Sequence, residues 1–394
     1  MKILWLKGDF LHPTTRGGKI RTLEMLKRLH RRHEVHFIAL DDGTSPEAVP
    51  RAAEYSTRAY PIPHHVPARG SGAFYAQSIA NLFSDLPLSL ARYKSALYER
   101  TVEEVMRKES PDILVCDFLT PAVNLQSLDR WVLFQHNVET IIWRRHAEQA
   151  RGAVQRRYFQ SQAQRMFSVE DRVCRNVKKV VAVSDADAHT MEGLFGLRNI
   201  PSVPTGVDVE GFTPAARPTD GADLVFVGAM DWMPNIDGVI YFLDEILPLI
   251  RRKRPDCSVA IVGREPSSEL RRRATEDPKL LVTGTVDDVR PYLWSGLVSI
   301  VPLRIGGGTR LKIYEAMAAR IPVVSTSIGA EGLAVKAEHI RIADTPEEFA
   351  AACVDLLENR EARARMSGAA WDLVSSCFSW ERVTEQFEQI IGAA

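Results

Sequence analysis

At 394 residues the chain exceeds one comfortable hydrophobic core and predicts two domains. Hydrophobic residues make up 45% and charged residues 25%, the balance of an ordinary globular protein rather than a fibrous or unstructured one. Lysine and arginine (50) match aspartate and glutamate (50), and a net charge of zero argues against wholesale nucleic-acid binding.

The cysteines Cys116, Cys174, Cys257, Cys353 and Cys377 are scattered, with no CxxC pair. They read as reduced thiols, not as a disulfide framework or a zinc site. No apolar run approaches the ~18 residues of a spanning helix. Met1 to Leu6 enters a strand pattern at once, too short for a signal peptide. A cytoplasmic location is expected.

In chain order, Lys2 to Leu6 reads as the first strand, and a loop from Gly8 to Gly18 contains His12-Pro13 and ends in Arg16-Gly17-Gly18. A helix is predicted from about Ile20 to Arg32 and a second strand over Glu34 to Leu40. Residues 45–111 carry a blurred pattern, with one helix near Ser89 to Lys108. Ile113 to Asp117 and Trp131 to Gln135 are strands, and His136-Asn137-Val138-Glu139 follows at the carboxyl end, where open α/β sheets place ligands. Val180 to Ser184 is a further strand. Asp185-Ala186-Asp187 then spells a DxD metal motif, but at a helix start the same acids serve as caps. Residues 215–221 have linker composition. Strands follow at Leu224 to Val227, Val259 to Val262, Leu297 to Val301 and Pro322 to Thr326, and an amphipathic helix at Trp380 to Ile391 aligns Val383, Phe387 and Ile390.

The stretch from Leu297 to Thr326 carries the most chemistry. A buried strand leads into Gly306-Gly307-Gly308, a helix from Thr309 to about Arg320, and another strand. Glycines allow close approach of a ligand to the main chain, and the helix start aims free N–H groups and a positive dipole end into the loop, as a phosphate requires. Arg310 and Lys312 add full positive charges. Glu315 sits among Leu311, Met317 and Ala318, where an acid needs a partner. A pair of sugar hydroxyls serves, since a carboxylate accepts from both. An ordinary βα turn with Glu315 on a structural arginine fits the same pattern.

Several further segments bear on these readings: Phe226-Val227-Gly228, Pro234-Asn235, Val262-Gly263, Gly284-Thr285-Val286, Gly306 to Lys312, Glu315 to Ala318, Pro322 to Thr326 and Gly329 to Gly332. In this order and spacing they resemble a family 4 glycosyltransferase, of the sugar-transferase branch found in exopolysaccharide clusters. The resemblance implies the GT-B fold, an α/β architecture of two Rossmann-like domains with parallel sheets facing across a cleft. It places an acceptor-side domain at 1–205, a nucleotide-sugar-binding domain at 206–375, and a helix at 376–394 crossing back to the first.

It further implies a nucleoside diphosphate sugar donor, a UDP- or GDP-sugar, with no bound cofactor and no metal. Glu315 would hold the ribose, while Arg310, Lys312 and the backbone N–H groups of Gly308 and Thr309 would hold the diphosphate. Gly17, Gly18 and Gly228 would line the phosphate region, and Val262, Gly263, Thr285 and Val286 the base. His136 would touch the donor sugar and joins Arg310, Lys312 and Glu315 as a catalytic candidate. His12, Asp117 and Glu139 are acceptor-side candidates. Two departures stand out: the family's first glutamate falls on Gly307, and its basic pair after the first strand of this domain is missing between Ala229 and Asn235.

The function implied is retaining transfer of a sugar to a saccharide or polyprenyl-diphosphate-linked acceptor in exopolysaccharide or cell-surface glycan synthesis. A nucleotide-sugar epimerase of the same fold and a non-catalytic nucleotide-sugar-binding scaffold are the alternatives. Trp143-Arg144-Arg145 and Arg156-Arg157-Tyr158-Phe159 interleave cations with aromatics, as a patch for the inner face of the plasma membrane does.

Overall fold

The structure is a computed structural model and describes residues 1–14, 17–67, 70–150, 152–214, 221–305 and 311–392. Gly306, Gly307, Gly308, Thr309 and Arg310, Arg16, and most of the sequence-assigned linker lie outside the described residues. Two compact units emerge: residues 1–204 with the end of the chain from Val383, and Thr205–Arg382.

The first unit contains β1 (Lys2–Leu6), β2 (Glu34–Asp41), β3 (Arg58–Pro63), β4 (Ile113–Asp117), β5 (Trp131–Phe134) and β6 (Lys179–Val181). The second contains β7 (Leu224–Val227), β8 (Val259–Val262), β9 (Leu280–Val282), β10 (Val298–Val301), β11 (Val323–Ser325) and β12 (Arg341–Ile342). Their orders are β3-β2-β1-β4-β5-β6 and β12-β11-β10-β7-β8-β9. Counted from its own first strand, each sheet has the doubly wound Rossmann order. Every pairing between these strands is parallel.

Parallel strands covered on both faces must be apolar throughout, and β5, β8 and β10 are buried at every residue. In the first unit Leu4, Leu6, Ile38 and Leu133 meet Met166 and Val173 of the helix Ala153–Asn176 in one core. In the second, Phe226, Phe242 and Phe349 fill one face of the sheet and Val225, Val262, Ile313 and Met317 the other. Each fully buried side chain of this kind contributes about 1.5–3 kcal/mol.

Three sequence expectations change. The blurred region hides β3, whose Pro61 and Pro63 break the strand signal; prolines are tolerated because β3 is an edge. The single helix from Ser89 to Lys108 is two, Leu88–Ala91 and Ala96–Glu109, the second capped by the Ser95 hydroxyl accepting from the Tyr98 N–H at 3.3 Å. In the helix Trp380–Gly392 the buried seam is Val383, Thr384, Phe387 and Ile391, with Ile390 only half-buried. Its Phe387 packs on Trp5 and Phe134 at ring separations of 5.6 and 4.9 Å.

Candidate functional site

A doubly wound sheet opens a crevice where its strand order reverses, beyond the carboxyl ends of the two central strands. In the second unit those are β7 and β10. The Gly228 N–H just past β7 donates to Val262 O at 2.9 Å. A methyl on Gly263 would overlap the Gly228 carbonyl, and one on Gly228 would lie 2.6 Å from Lys312 Nζ. Gly263 is therefore required by close approach of backbone, and a side chain at Gly228 would displace the Lys312 ammonium. Lys312 Nζ sits 4.3 Å from the Phe226 ring centroid and donates to Asn235 Oδ1 at 2.8 Å, while Asn235 Nδ2 donates to Ala229 O at 2.8 Å. The side chain from the helix Leu311–Ala318 thus brings a cation to the place where the sequence lacks its basic pair.

Glu315 lies one turn along that helix, half-buried, and its carboxylate has no hydrogen-bond partner among the described residues. Burial pushes its pKa up to about 7, only partly opposed by the Lys312 ammonium. Gly284, with φ of +74°, precedes Thr285, which is exposed, and Val286, which packs on the Val225–Val262 side of the core.

In the first unit the reversal falls between β1 and β4, where Leu6 pairs with Cys116 and puts Lys7 beside Asp117. Asp117 is fully buried and accepts from Lys7 Nζ at 2.7 Å, the Thr22 hydroxyl at 2.6 Å and Trp5 Nε1 at 3.0 Å. His136 Nε2 lies 2.6 Å from its Oδ1. Burial works against ionisation of Asp117, yet Lys7 and His136 overcome it and hold the carboxyl below its ordinary range. Burial, then the Lys7 charge, depresses His136 to about 4 against the pull of Asp117, so the ring is neutral at pH 7. Its Nδ1 faces Gly18, where an added methyl would stand 3.4 Å away. Gly17 and Gly18 open the helix Gly17–His30.

Two models of known families match the chain. Residues 221–359 match Glycosyl transferases group 1, and residues 15–210 match Glycosyltransferase Family 4. The chain belongs to the family 4 glycosyltransferases. A protein of the cps region of Klebsiella pneumoniae is 26% identical over 169 residues, 41% of this chain and 44% of that one. The phosphatidyl-myo-inositol mannosyltransferase of Mycobacterium tuberculosis is 31% identical over 225 residues, 53% of this chain and 58% of that one. The chain thus spans about half the length of the curated relatives it matches. Anabaena HepE, solved with UDP, superposes with a TM-score of 0.70 at 14% identity over 100% of both chains. Its likeness shows the GT-B fold.

Within this family 4 chain the structure gathers Gly228, Val262, Gly263 and Lys312 at one reversal and Gly18, Asp117 and His136 at the other. His12 stays apart from them: it is buried 3.3 Å from Glu54 and 3.1 Å from the Thr14 hydroxyl. Glu139 opens the helix Glu139–Gln149, where burial and the neighbouring Glu170 push it up to about 7. Asp185 and Asp187 lie in the first turn of the helix Asp185–Phe195, with the Ser184 hydroxyl capping the Asp187 N–H at 3.1 Å. Sequence reasoning missed Lys7, Thr22, Arg21 and Glu170. Arg21 is buried over the Phe134 ring, and desolvation lowers it to about 10 against the charges of Asp117 and Asp187. Lys7 carried a usable signal, a charge directly after a fully apolar strand.

Proposed function

We propose that this protein transfers a sugar, with retention of configuration, from a nucleoside diphosphate sugar to a saccharide or lipid-linked acceptor in exopolysaccharide or cell-surface glycan synthesis. The observation that carries the reading is Glu315, a half-buried carboxylate with no hydrogen-bond partner among the described residues, one turn from Lys312. Ribose hydroxyls would satisfy it, and their donation would draw its pKa down and keep it ionised. Lys312, held at Gly228 by Asn235, would face the diphosphate, whose charge grows as the glycosidic bond breaks. Arg310 and the N–H groups of Gly308 and Thr309 are assigned to the same phosphates by sequence, with Gly307 beside them among the donor-binding residues. The base is assigned to Val262, Gly263, Thr285 and Val286. In the first unit, neutral His136 offers Nδ1 as an acceptor for a sugar hydroxyl, beside Gly17 and Gly18.

The names of similar proteins support this reading. One belongs to a cps region, another is a mannosyltransferase of phosphatidyl-myo-inositol, and the Anabaena protein was solved with UDP and with UDP-glucose. Support for a membrane surface comes from the helix Gly72–Ala80, which buries none of its residues. Tyr75, Ile79 and Leu82 are exposed and Phe83 is 91% exposed. Arg165 ties this patch to the helix Ala153–Asn176 by donating to Asn81 O at 2.6 Å and Leu82 O at 2.9 Å. Helical spacing puts Val154, 87% exposed, and Tyr158 on the same face as Arg165, with Arg156 and Arg157 close by. Apolar groups rimmed by arginines suit an anionic leaflet. No helix among the described residues is long and apolar enough to cross a membrane.

The test is calorimetric titration with UDP- and GDP-sugars, followed by transfer assays on saccharide and lipid-linked acceptors. Saturable binding of one donor with acceptor-dependent release of its nucleotide is expected. Binding without turnover on any acceptor would leave a scaffold, and no binding would remove the assignment of Glu315.

A further inference from the structure

Glu170 is fully buried in the helix Ala153–Asn176, and no ion-pair partner faces it among the described residues. Its carboxylate instead accepts four hydrogen bonds. Oε1 takes Gln135 Nε2 at 2.6 Å and the Glu139 N–H at 3.0 Å; Oε2 takes the Thr140 N–H at 2.8 Å and the Thr140 hydroxyl at 2.6 Å. All four donors belong to residues 135–140, the segment that carries His136. The helix Glu139–Gln149 has no side-chain cap of its own at Val138, so the distant carboxylate satisfies its first free N–H groups and meets the positive end of its dipole.

We infer that Glu170 is a positioning residue for His136: it fixes the turn from Gln135 to Thr140 and so holds the imidazole against Asp117 with Nδ1 toward Gly18. The inference rests on the role proposed above for His136. On its other side the turn is anchored by the Gln135 N–H donating to Val181 O at 2.9 Å, so the imidazole is braced from β6 and from the helix below. A carboxylate is the group this place requires. Each oxygen takes two donors, and an amide of the same size would turn an NH2 toward one pair of them. Burial raises the pKa of Glu170, and its hydrogen bonds from Thr140, Glu139 and Gln135 pull the other way.

The test compares Glu170→Gln, His136→Ala and the double variant in release of UDP from UDP-glucose, or from the donor found by calorimetry. Glu170→Gln is expected to lower kcat by about ten- to a hundredfold, because an ångström of misplacement suffices for that. KM should stay within about twofold, because donor contacts elsewhere are untouched. The double variant should be no slower than His136→Ala, since a residue acting through His136 has nothing left to position. Thr140→Val, which deletes one donor and keeps the buried carboxylate, should show a smaller loss in the same direction. A Glu170→Gln turnover at the wild-type level, or an equal fold-loss with and without His136, would overturn the inference. A second readout needs no activity: in ¹⁵N-histidine spectra, the His136 ring of Glu170→Gln should titrate closer to the ordinary histidine value. An unchanged titration would overturn it equally. Should the wild-type protein turn over no nucleotide sugar, the proposed transfer falls, and the histidine titration alone decides on Glu170.

Discussion

The two strand-order reversals share a topology and differ in how their charges are used. At the first, Lys7, Thr22, Trp5 and His136 all converge on Asp117, so the buried carboxylate is already satisfied. At the second, Glu315 keeps its acceptor capacity unspent among the described residues, and Lys312 meets an amide oxygen and a ring face. A satisfied network fixes geometry, whereas an unsatisfied carboxylate destabilises its own unit and is relieved by a ligand. The first reversal thus orients a histidine, and the second is suited to bind.

The sharpest way to break this contrast is to remove Lys7. Lys7→Met leaves Asp117 buried without its cation and should cost about 3–5 kcal/mol in a urea melt. Glu315→Gln in the same melt should cost nothing and raise the midpoint at pH 8. Next in size is the ligand side. Glu315→Ala should weaken UDP binding by about ten- to a hundredfold, the worth of hydrogen bonds to a charged acceptor. Unchanged UDP affinity by calorimetry would sink the ribose assignment.

How much of this was legible in the sequence follows from the range of each interaction. Apolar runs such as Val259–Val262 and Val298–Val301 announce buried strands by themselves, and the glycines after them announce close backbone approach, so the fold class was readable. The Asp117 network was not, because Lys7 and Thr22 reach it from 110 and 95 residues away and look locally like any polar residue. Glu170 did leave a trace: it shares the apolar stripe of Met166, Val169 and Val173, where an acid must have donors waiting. Lys312 was placed near phosphate, but its partner Asn235 lies 77 residues away, and no pattern connects them.

Titration gives the contrast a sign. Glu315, at about 7 in the folded protein against 4.5 ordinarily, holds a proton that the unfolded chain releases, so its contribution to stability falls as pH rises through that window and is flat above it. The stability gain of Glu315→Gln over wild type should therefore vanish below pH ~4.5 and reach order 1 kcal/mol above pH ~7, discounted for partial exposure. His136 has the opposite slope. With its pKa lowered from 6.5 to about 4, its contribution is complete above 6.5 and is lost as pH falls toward 4. Difference curves are needed, because Glu139, also near 7, adds to the wild-type profile with the sign of Glu315. Parallel difference curves for Glu315→Gln and His136→Asn would erase the distinction between the two reversals.

The smallest change separates orientation from stability at the first reversal. Gly18→Ala adds a methyl 3.4 Å from His136 Nδ1, a tight but tolerable approach in a helix of ordinary geometry. Alanine restricts the unfolded chain more than glycine, so folding should gain up to about 0.5–1 kcal/mol, less whatever the contact costs. The same methyl covers the one nitrogen that His136 does not turn toward Asp117. If that nitrogen meets the donor sugar, turnover should fall while the melting temperature holds or rises. A variant that melts and turns over like the wild type would mean that His136 serves its own unit only, and that the first reversal is structural throughout.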